Sequence, residues 1–509
     1  MTSRTECQTE GSDARQASAP LVAAEAGTAR VAAPADRLSR QHRLVIAVLM
    51  VAAFTVILNE TVMSVALPVL QDDLGVALSV AQWLTTAYML TMAVVIPLTG
   101  FFIQRVPTRR LFVLAMSLFS AGTLAAAVAP GFVVLLAARV VQASGTAIMM
   151  PLLMTTVMTL VPAARRGLMM GNISIVISVA PALGPTLSGF VIGRFGWRGI
   201  FLVVLPIALA TLALGARWLV TVSETSRARV DLVSVPLAAL GFGGLVYGMA
   251  SIGEAAEGGA AIPVWALFTV GGVSLVLFVV RQLALQREDR ALLDLRVFRS
   301  SLFAISMGAM LLATATMFGA FILLPLFAQR GLGLAPLQTG LITLPGGLMM
   351  GLASPFVGRI YDAHGPRVLL VPGVTLISGA LWVLTTVSAT TSTALLVATN
   401  VALMVGLAAT FTPLMTAGLG SLPPRLYSHG SAVLGTFQQV AAAAGTALFI
   451  TVVAVVATAA GSDTAEAAGT IAGVRAAFLV AAILSLTLVP AVLFVRRPAS
   501  GTPTASLPH

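Results

Sequence analysis

The sequence predicts an all-α membrane protein with fourteen transmembrane helices, and three observations point there. Apolar stretches of about 20 residues recur along the chain, the length a helix needs to cross about 30 Å of hydrocarbon. Of the 509 residues, 58% are hydrophobic and only 9% charged, and the mean hydropathy is +0.99; a soluble domain carries about 25% charged residues. Arginines also alternate between connections, crowding into every second one. Backbone groups in hydrocarbon must pair within their own segment, so the apolar runs read as helices.

Residues 1–42 are rich in Ala, Ser, Thr and Arg, lack apolar periodicity, and read as a disordered cytoplasmic tail. The first apolar run is too long for a signal-peptide core and is taken as an uncleaved span. Spans are expected at about 44–68, 80–103, 111–129, 132–156, 168–191, 199–221, 233–252, 262–281, 302–328, 337–357, 368–389, 392–417, 431–458 and 471–495. A polar, Pro-rich cytoplasmic tail, 497–509, closes the chain.

There is no Lys, so all 29 basic residues are Arg. With the N-terminus inside, sixteen fall in cytoplasmic connections: Arg105, Arg109, Arg110, Arg165, Arg166, Arg217, Arg227, Arg229, Arg281, Arg287, Arg290, Arg296, Arg299, Arg359, Arg367 and Arg425. Only four, Arg194, Arg198, Arg330 and Arg475, fall outside. Basic loops stay in the cytoplasm, so the span count is even and both termini are expected there. The same spread excludes a nucleic-acid-binding face, despite a pI near 11.3.

A repeat divides the chain. Pro97-Leu98-Thr99-Gly100 matches Pro355-Phe356-Val357-Gly358 at an offset of 258, where Arg109 also aligns with Arg367. Leu67-Pro68 and Leu324-Pro325 align at an offset of 257. Spans 1–3 therefore correspond to spans 9–11. The expected domains are two six-helix bundles, 43–222 and 301–496, joined by a linker, 223–300, that carries two extra helices. Two halves around a midplane site is the architecture of alternating-access carriers.

Of the 18 acidic residues, Glu60 alone lies inside a span; the others fall in tails or connections. A carboxylate in hydrocarbon costs a few kcal/mol or more, which makes Glu60 a functional candidate by default. Arg139 is its counterpart in span 4. Glu60 and Arg139 sit roughly 12 and 10 Å below the external face, taking a rise of 1.5 Å per residue. The single Cys, Cys7, excludes a disulfide framework, and the four His (His42, His364, His429 and His509) lie outside the spans, so no intramembrane metal cluster is available. A chain without Lys has no Gly-x-x-x-x-Gly-Lys phosphate loop. With no nucleophile and base in the spans, an enzyme is not expected.

Four motifs go further. Span 1 carries Leu58-Asn59-Glu60-Thr61 and then Ala66-Leu67-Pro68; span 4 carries Arg139-Val140-Val141-Gln142-Ala143-Ser144-Gly145. Span 5 carries Ala180-Pro181-Ala182-Leu183-Gly184-Pro185-Thr186-Leu187-Ser188-Gly189, followed by Gly196-Trp197-Arg198-Gly199-Ile200-Phe201. A turn from Gly358 to Arg367, with Asp362 and Gly365 inside it, has a first copy from Gly100 to Arg110. On these motifs, over about 44–495, the chain resembles the major facilitator superfamily, in particular its fourteen-span drug:proton antiporters.

The resemblance implies proton coupling at Glu60 and Arg139, supported by the polar residues Asn59, Thr61 and Gln142. Many members place Asp where this chain has Asn59, so the acid is shifted by about 100° around the helix. Spans 1 and 4 are neighbours in the resembled fold, and the two opposite charges are expected to pair. Pro181, Gly184, Pro185 and Gly189 imply a bent gate wall, with both glycines admitting a close neighbour helix. Gly100, Arg105, Arg109, Gly358, Asp362, Gly365 and Arg367 imply a cytoplasmic latch, weaker in the first copy, where Gln104 replaces Asp and Pro107 replaces Gly. Gln82, Tyr88, Asn172, Met317, Phe437 and Gln438 are candidate cavity residues.

The expected function is proton-coupled export of a hydrophobic or cationic small molecule by a plasma-membrane monomer. Protons are the coupling ion; no cofactor and no macromolecular partner beyond membrane lipid is implied. Export of one endogenous metabolite or lipid, and a non-transporting membrane sensor, remain as rival readings of the same sequence.

Overall fold

The computed structural model describes residues 39–76, 78–219, 231, 233–256, 262–288, 290–459 and 466–497. Most of both expected tails, and part of the linker, lie outside the described residues. The chain runs through α1 (Arg40–Leu74), α2 (Leu78–Arg105), α3 (Thr108–Ala127) and α4 (Phe132–Leu160). A helical run over Arg166–Trp218 is interrupted at Gly196 and divides into α5 (166–195) and α6 (197–218). Then come α7 (Ser234–Ala256), α8 (Val264–Leu285), α9 (Ser301–Leu326), α10 (Pro336–His364), α11 (Arg367–Leu384), α12 (Thr393–Gly420), α13 (Tyr427–Ala459) and α14 (Glu466–Leu493). Fourteen segments are long and apolar enough to cross a membrane, and no strand occurs among the described residues.

Local chemistry sets several boundaries. The Ser39, Ser300 and Ser392 side chains accept from the first-turn amides of α1, α9 and α12, satisfying donors a helix leaves open. Gly75, at φ +62°, ends α1 in the left-handed region. Gly196, at φ +66°, separates α5 from α6 in a conformation that side chains other than hydrogen disfavour. The next two residues tie that corner to the end of α1. Trp197 Nε1 donates to Asp73 at 2.6 Å, and Arg198 pairs with the same carboxylate at 3.4 Å.

Helices α1–α6 pack among themselves, as do α9–α14. α7 and α8 form a hairpin that packs on α2 and α13. At its foot Asp231 receives two bonds from Arg281, at 2.6 and 2.7 Å. These bonds hold the Asp231 carboxyl well below the usual carboxylate range, against the opposing effect of burial. The pair therefore contributes at neutral pH and is lost only as acid titrates the carboxylate.

The two sets of helices meet along two seams at the end that carries Arg105, Arg165 and Arg425, here called the basic end. In the first seam α5 lies antiparallel to α10: Gly358 faces Gly167, Ser354 faces Gly171, Gly351 faces Val179, and Gly347 faces Ala182. Small residues one turn apart let the backbones approach. In the second seam, α2 meets α13: Gly100 lies against Ser428 and Ala432, and Ile96 lies against Gly435.

A Cβ at Gly358 would run into the carbonyl oxygen of Gly167, which is backbone and cannot swing away. Gly358→Ala is therefore expected to lower the apparent melting temperature in detergent. Overpacking of about 1–3 kcal/mol outweighs the roughly 1 kcal/mol helix-propensity gain. At Gly189 a Cβ meets nothing within 4 Å, so Gly189→Ala should keep the roughly 1 kcal/mol propensity gain and leave the melting temperature unchanged or raised. Equal melting temperatures for the two variants would contradict the tight seam.

Candidate functional site

Arg139 is the largest fully buried side chain, 1% exposed, one-quarter of the way along α4. Its Nη1 donates to Gln142 Oε1 at 2.7 Å, one turn on, and its Nε reaches Leu84 O on α2 at 3.4 Å. The guanidinium carbon lies 4.0 Å from the Tyr88 ring centroid, a desolvated cation–π contact. Gln142 Nε2 then donates to Thr123 Oγ1 on α3 at 2.8 Å, and the Tyr88 hydroxyl donates to Thr146 Oγ1 at 2.7 Å. The glycine at 145 brings α4 onto the α3 backbone at Ala115 and Phe119, which sets Gln142 within reach of Thr123.

Glu60 lies on α1, close enough to Arg139 and Tyr88 to act on both electrostatically. The expected ion pair does not form: among the described residues Glu60 has no hydrogen bond and no salt bridge, and the side chain keeps partial exposure. The difference has a physical cause. Arg139 is already held by neutral acceptors and a ring, so the carboxylate is not needed to keep it buried. Asn59 takes the buried side of the helix, 1% exposed, with neither amide atom bonded. The 100° shift thus puts the amide in the packed interior and leaves the acid half-buried and unbonded.

Thr61 donates to the carbonyls of Ile57 and Leu58, at 3.2 and 3.0 Å, and lies directly against Gly184 of α5. The Ser188 hydroxyl donates to Val62 O at 2.9 Å, locking the same two helices together. Gly184 therefore admits a close neighbour as expected, but Gly189 does not. Five residues on, it is turned about 140° away, exposed and facing open space. Pro181 is half-buried; the Pro185 side chain lies outside the described residues. An apolar cleft of about 460 Å³ opens beside this contact, lined by Phe54, Leu58, Leu183, Leu187 and Phe190.

The latch residues come together at the second copy. Asp362 accepts from the Gly167 and Leu168 amides, both at 2.8 Å, so the last turn of α10 caps the start of α5. Gly365, at φ +84°, ends α10, and Arg367 donates to Leu493 O at 2.8 Å. At the first copy Gln104 donates to Arg425 O at 2.9 Å instead. The amide still spans the seam, but it holds a carbonyl, where Asp362 holds two helix-terminal amides. Arg105 stacks on Phe101 at 3.7 Å, and Arg109 is exposed with no bond among the described residues.

The candidate cavity residues scatter. Tyr88 belongs to the Arg139 network, Gln82 is exposed, and Asn172, Met317 and Gln438 are half-buried. Phe437, half-buried, packs its ring 6.3 Å from both Phe242 of α7 and Phe298. Sequence reasoning missed the inserted helix as a competing neighbour. It also missed Thr123 and Thr146; the 142–146 spacing of one helical turn was the available signal for Thr146.

Fourteen spans, a buried fixed cation, a free acid and two seams define a membrane transport protein rather than an enzyme. The chain belongs to the Major Facilitator Superfamily, whose family model matches residues 49–446. It is 38% identical over 459 residues to the lincomycin resistance protein LmrB of Listeria monocytogenes, covering 89% of this chain and 96% of that one. Over 443 residues it is 39% identical to YcnB, an uncharacterized MFS-type transporter of Bacillus subtilis, covering 87% and 93%. A multidrug resistance protein B homolog of Mycobacterium tuberculosis is 32% identical over 395 residues, covering 77% and 72%. The crystal structure of the human organic anion transporter MFSD10 shares the fold, with a TM-score of 0.63 at 16% identity over 89% of this chain and 99% of that one.

Replacing Asp362 by Asn removes the charge from the two amide bonds, a loss of about 1.5–3 kcal/mol. In a Cys7→Ser background, thiol labelling of Ser354→Cys, buried in the α5–α10 seam, should speed up by roughly ten- to a hundredfold when Asp362→Asn is added. An unchanged labelling rate would mean that Asp362 does not hold the seam.

Proposed function

We propose that this transporter is a proton-coupled antiporter that exports hydrophobic or cationic drugs and antibiotics across the plasma membrane by alternating access. The observation that carries the proposal is Glu60, a lone intraspan acid that is half-buried and unbonded beside a guanidinium fixed by other partners. An acid free of a permanent partner can exchange a proton without unmaking the packing around it. Relatives named for lincomycin and multidrug resistance support the substrate class.

The basic end is taken as cytoplasmic, by the arginine bias, with both termini on that side. The domains at 43–222 and 301–496 rock about the seams. With the seams clasped at the basic end, Glu60 takes a proton from outside. When they part, the proton leaves to the cytoplasm and substrate takes its place. Proton and cationic substrate compete for one negative charge, and Arg139 keeps the site's positive charge constant between the two states. A membrane potential supplies about 2.3 kcal/mol per charge per 100 mV, enough for roughly a 50-fold gradient of a neutral substrate. The working unit is a monomer in lipid, with protons as the only coupling species.

Glu60→Gln keeps the shape of the side chain and removes its titration. It should abolish pH-gradient-driven export in inverted vesicles while leaving substrate binding to the purified protein measurable. Coupled export by this variant would falsify the role of Glu60. Arg139→Ala should fail in both assays, since Gln142, the Leu84 carbonyl and the Tyr88 ring lose the group they hold.

A further inference from the structure

Helices α7 and α8 have no counterpart in the internal repeat, and the proton cycle gives them no task. α8 is the lipid side of the pair, with Trp265 and Val276 strongly exposed. α7 lies beneath it and touches both sets of helices. On one flank Tyr247 packs against Trp83 of α2 at 5.3 Å, and a Cβ at Gly243 would lie 3.1 Å from Leu90. On the other flank Phe242 packs against Phe437 of α13 at 6.3 Å. Since α2 and α13 themselves meet at Gly100 and Gly435, α7 lies along the outside of that seam.

The two flanks are held very differently. Within the hairpin Gln282 of α8 donates to Ser234 Oγ of α7 at 2.7 Å; toward the second set it accepts from the Leu292 and Leu293 amides, in the connection to α9, at 2.7 and 3.2 Å. The Asp294 amide of that buried segment donates to His429 Nδ1 of α13 at 3.3 Å. Phe298 completes the mount, packing on Phe303 of α9 at 5.8 Å and on Phe437 at 6.3 Å. Toward α2, among the described residues, no hydrogen bond or ion pair joins the hairpin; a ring pair and a glycine-faced apolar contact do the packing. Apolar contacts between smooth faces slide at small cost, whereas buried hydrogen bonds must break before the groups they join separate.

We propose that the α7–α8 hairpin is a shutter carried by the second set of helices: it moves with α9 and α13, slides over α2, and keeps lipid out of the α2–α13 seam as that seam opens. This rests on the alternating-access reading, because a protein that does not rock has no opening to cover. It also assigns lateral exchange of lipid-dissolved substrate to the α5–α10 seam, since the hairpin packs over the other.

Three pairs of spin labels in a Cys7→Ser background, in nanodiscs, test the motion independently of export. The pairs are Met92/Gln439 across the seam, Trp83/Tyr247 between α2 and the hairpin, and Phe242/Phe437 between the hairpin and α13. Between acid and mildly alkaline buffer the first two separations should shift by several ångströms while the third stays fixed. A shifting Phe242/Phe437 pair with a fixed Trp83/Tyr247 pair would put the hairpin on the first set and overturn the proposal. Three fixed separations would overturn it as well, since nothing would open. Motion as expected in a protein that shows no proton-driven export would leave the shutter standing and remove the antiport reading instead. As a second arm, bridging Phe242→Cys to Phe437→Cys with a short bis-thiosulfonate should spare export. Bridging Trp83→Cys to Tyr247→Cys should arrest it until reductant is added; arrest by the first bridge, or export through the second, would count against the shutter.

Discussion

The arrangement depends on how a guanidinium is kept inside a membrane protein without spending a carboxylate on it. A buried cation needs compensation, and here Arg139 finds it in an amide oxygen, a backbone carbonyl and the face of a tyrosine. Those partners are themselves held, Gln142 by Thr123 and Tyr88 by Thr146, so the network is braced by three helices. Had Glu60 been the counter-ion, protonating it would have orphaned a charge in hydrocarbon. With the cation satisfied elsewhere, the acid of the proposed cycle changes charge in a field that stays constant. Electrostatic coupling without a direct bond is the condition under which a carboxyl exchanges protons freely.

The two copies of the repeat have diverged in chemistry while keeping geometry. Gly100 and Gly358 occupy equivalent places, each pressing on the start of a helix in the opposite set, Ser428–His429 in one case and Gly167–Leu168 in the other. Four residues on, one copy presents a carboxylate to two amides and the other presents an amide to a carbonyl. One seam is therefore closed by charge-assisted bonds and the other by a neutral bond plus packing. The inserted hairpin lies on the neutral seam, which is also the seam whose bonding to the opposite helix set is weaker.

Most of the fold was legible in the sequence because a membrane leaves few choices: length and hydropathy gave fourteen spans, and arginine spacing gave their alternation. The repeat was legible because Pro-x-x-Gly recurs at one offset, and its two glycines do lie one in each seam. What failed was orientation around a helix axis. Gly189 shares a motif with Gly184 but not a face, and Phe437 shares a helix with the seam residues but looks toward α7. The Glu60–Arg139 pair was inferred from matching depth, which fixes height and says nothing about competing partners. Gln142 was visible in the motif, yet its part in freeing the acid emerges only when Thr123, 19 residues away on another helix, is seen to hold it.

Magnitudes connect the single acid to the single charged clasp. Two amide bonds to the Asp362 carboxylate contribute on the order of 1.5–3 kcal/mol each before competition with water at the half-exposed basic end. One proton moving down a potential of 100 mV releases about 2.3 kcal/mol. The clasp and the driving step are thus of the same order, which is what the proposed cycle needs if it is to be held in one state and yet leave it each turn. Position 104 faces the Arg425 carbonyl, which an amide N–H can bond and a carboxylate cannot. Gln104 therefore keeps its contact at 2.9 Å without added charge, which in the proposed cycle leaves Asp362 as the charged clasp that Glu60 works against.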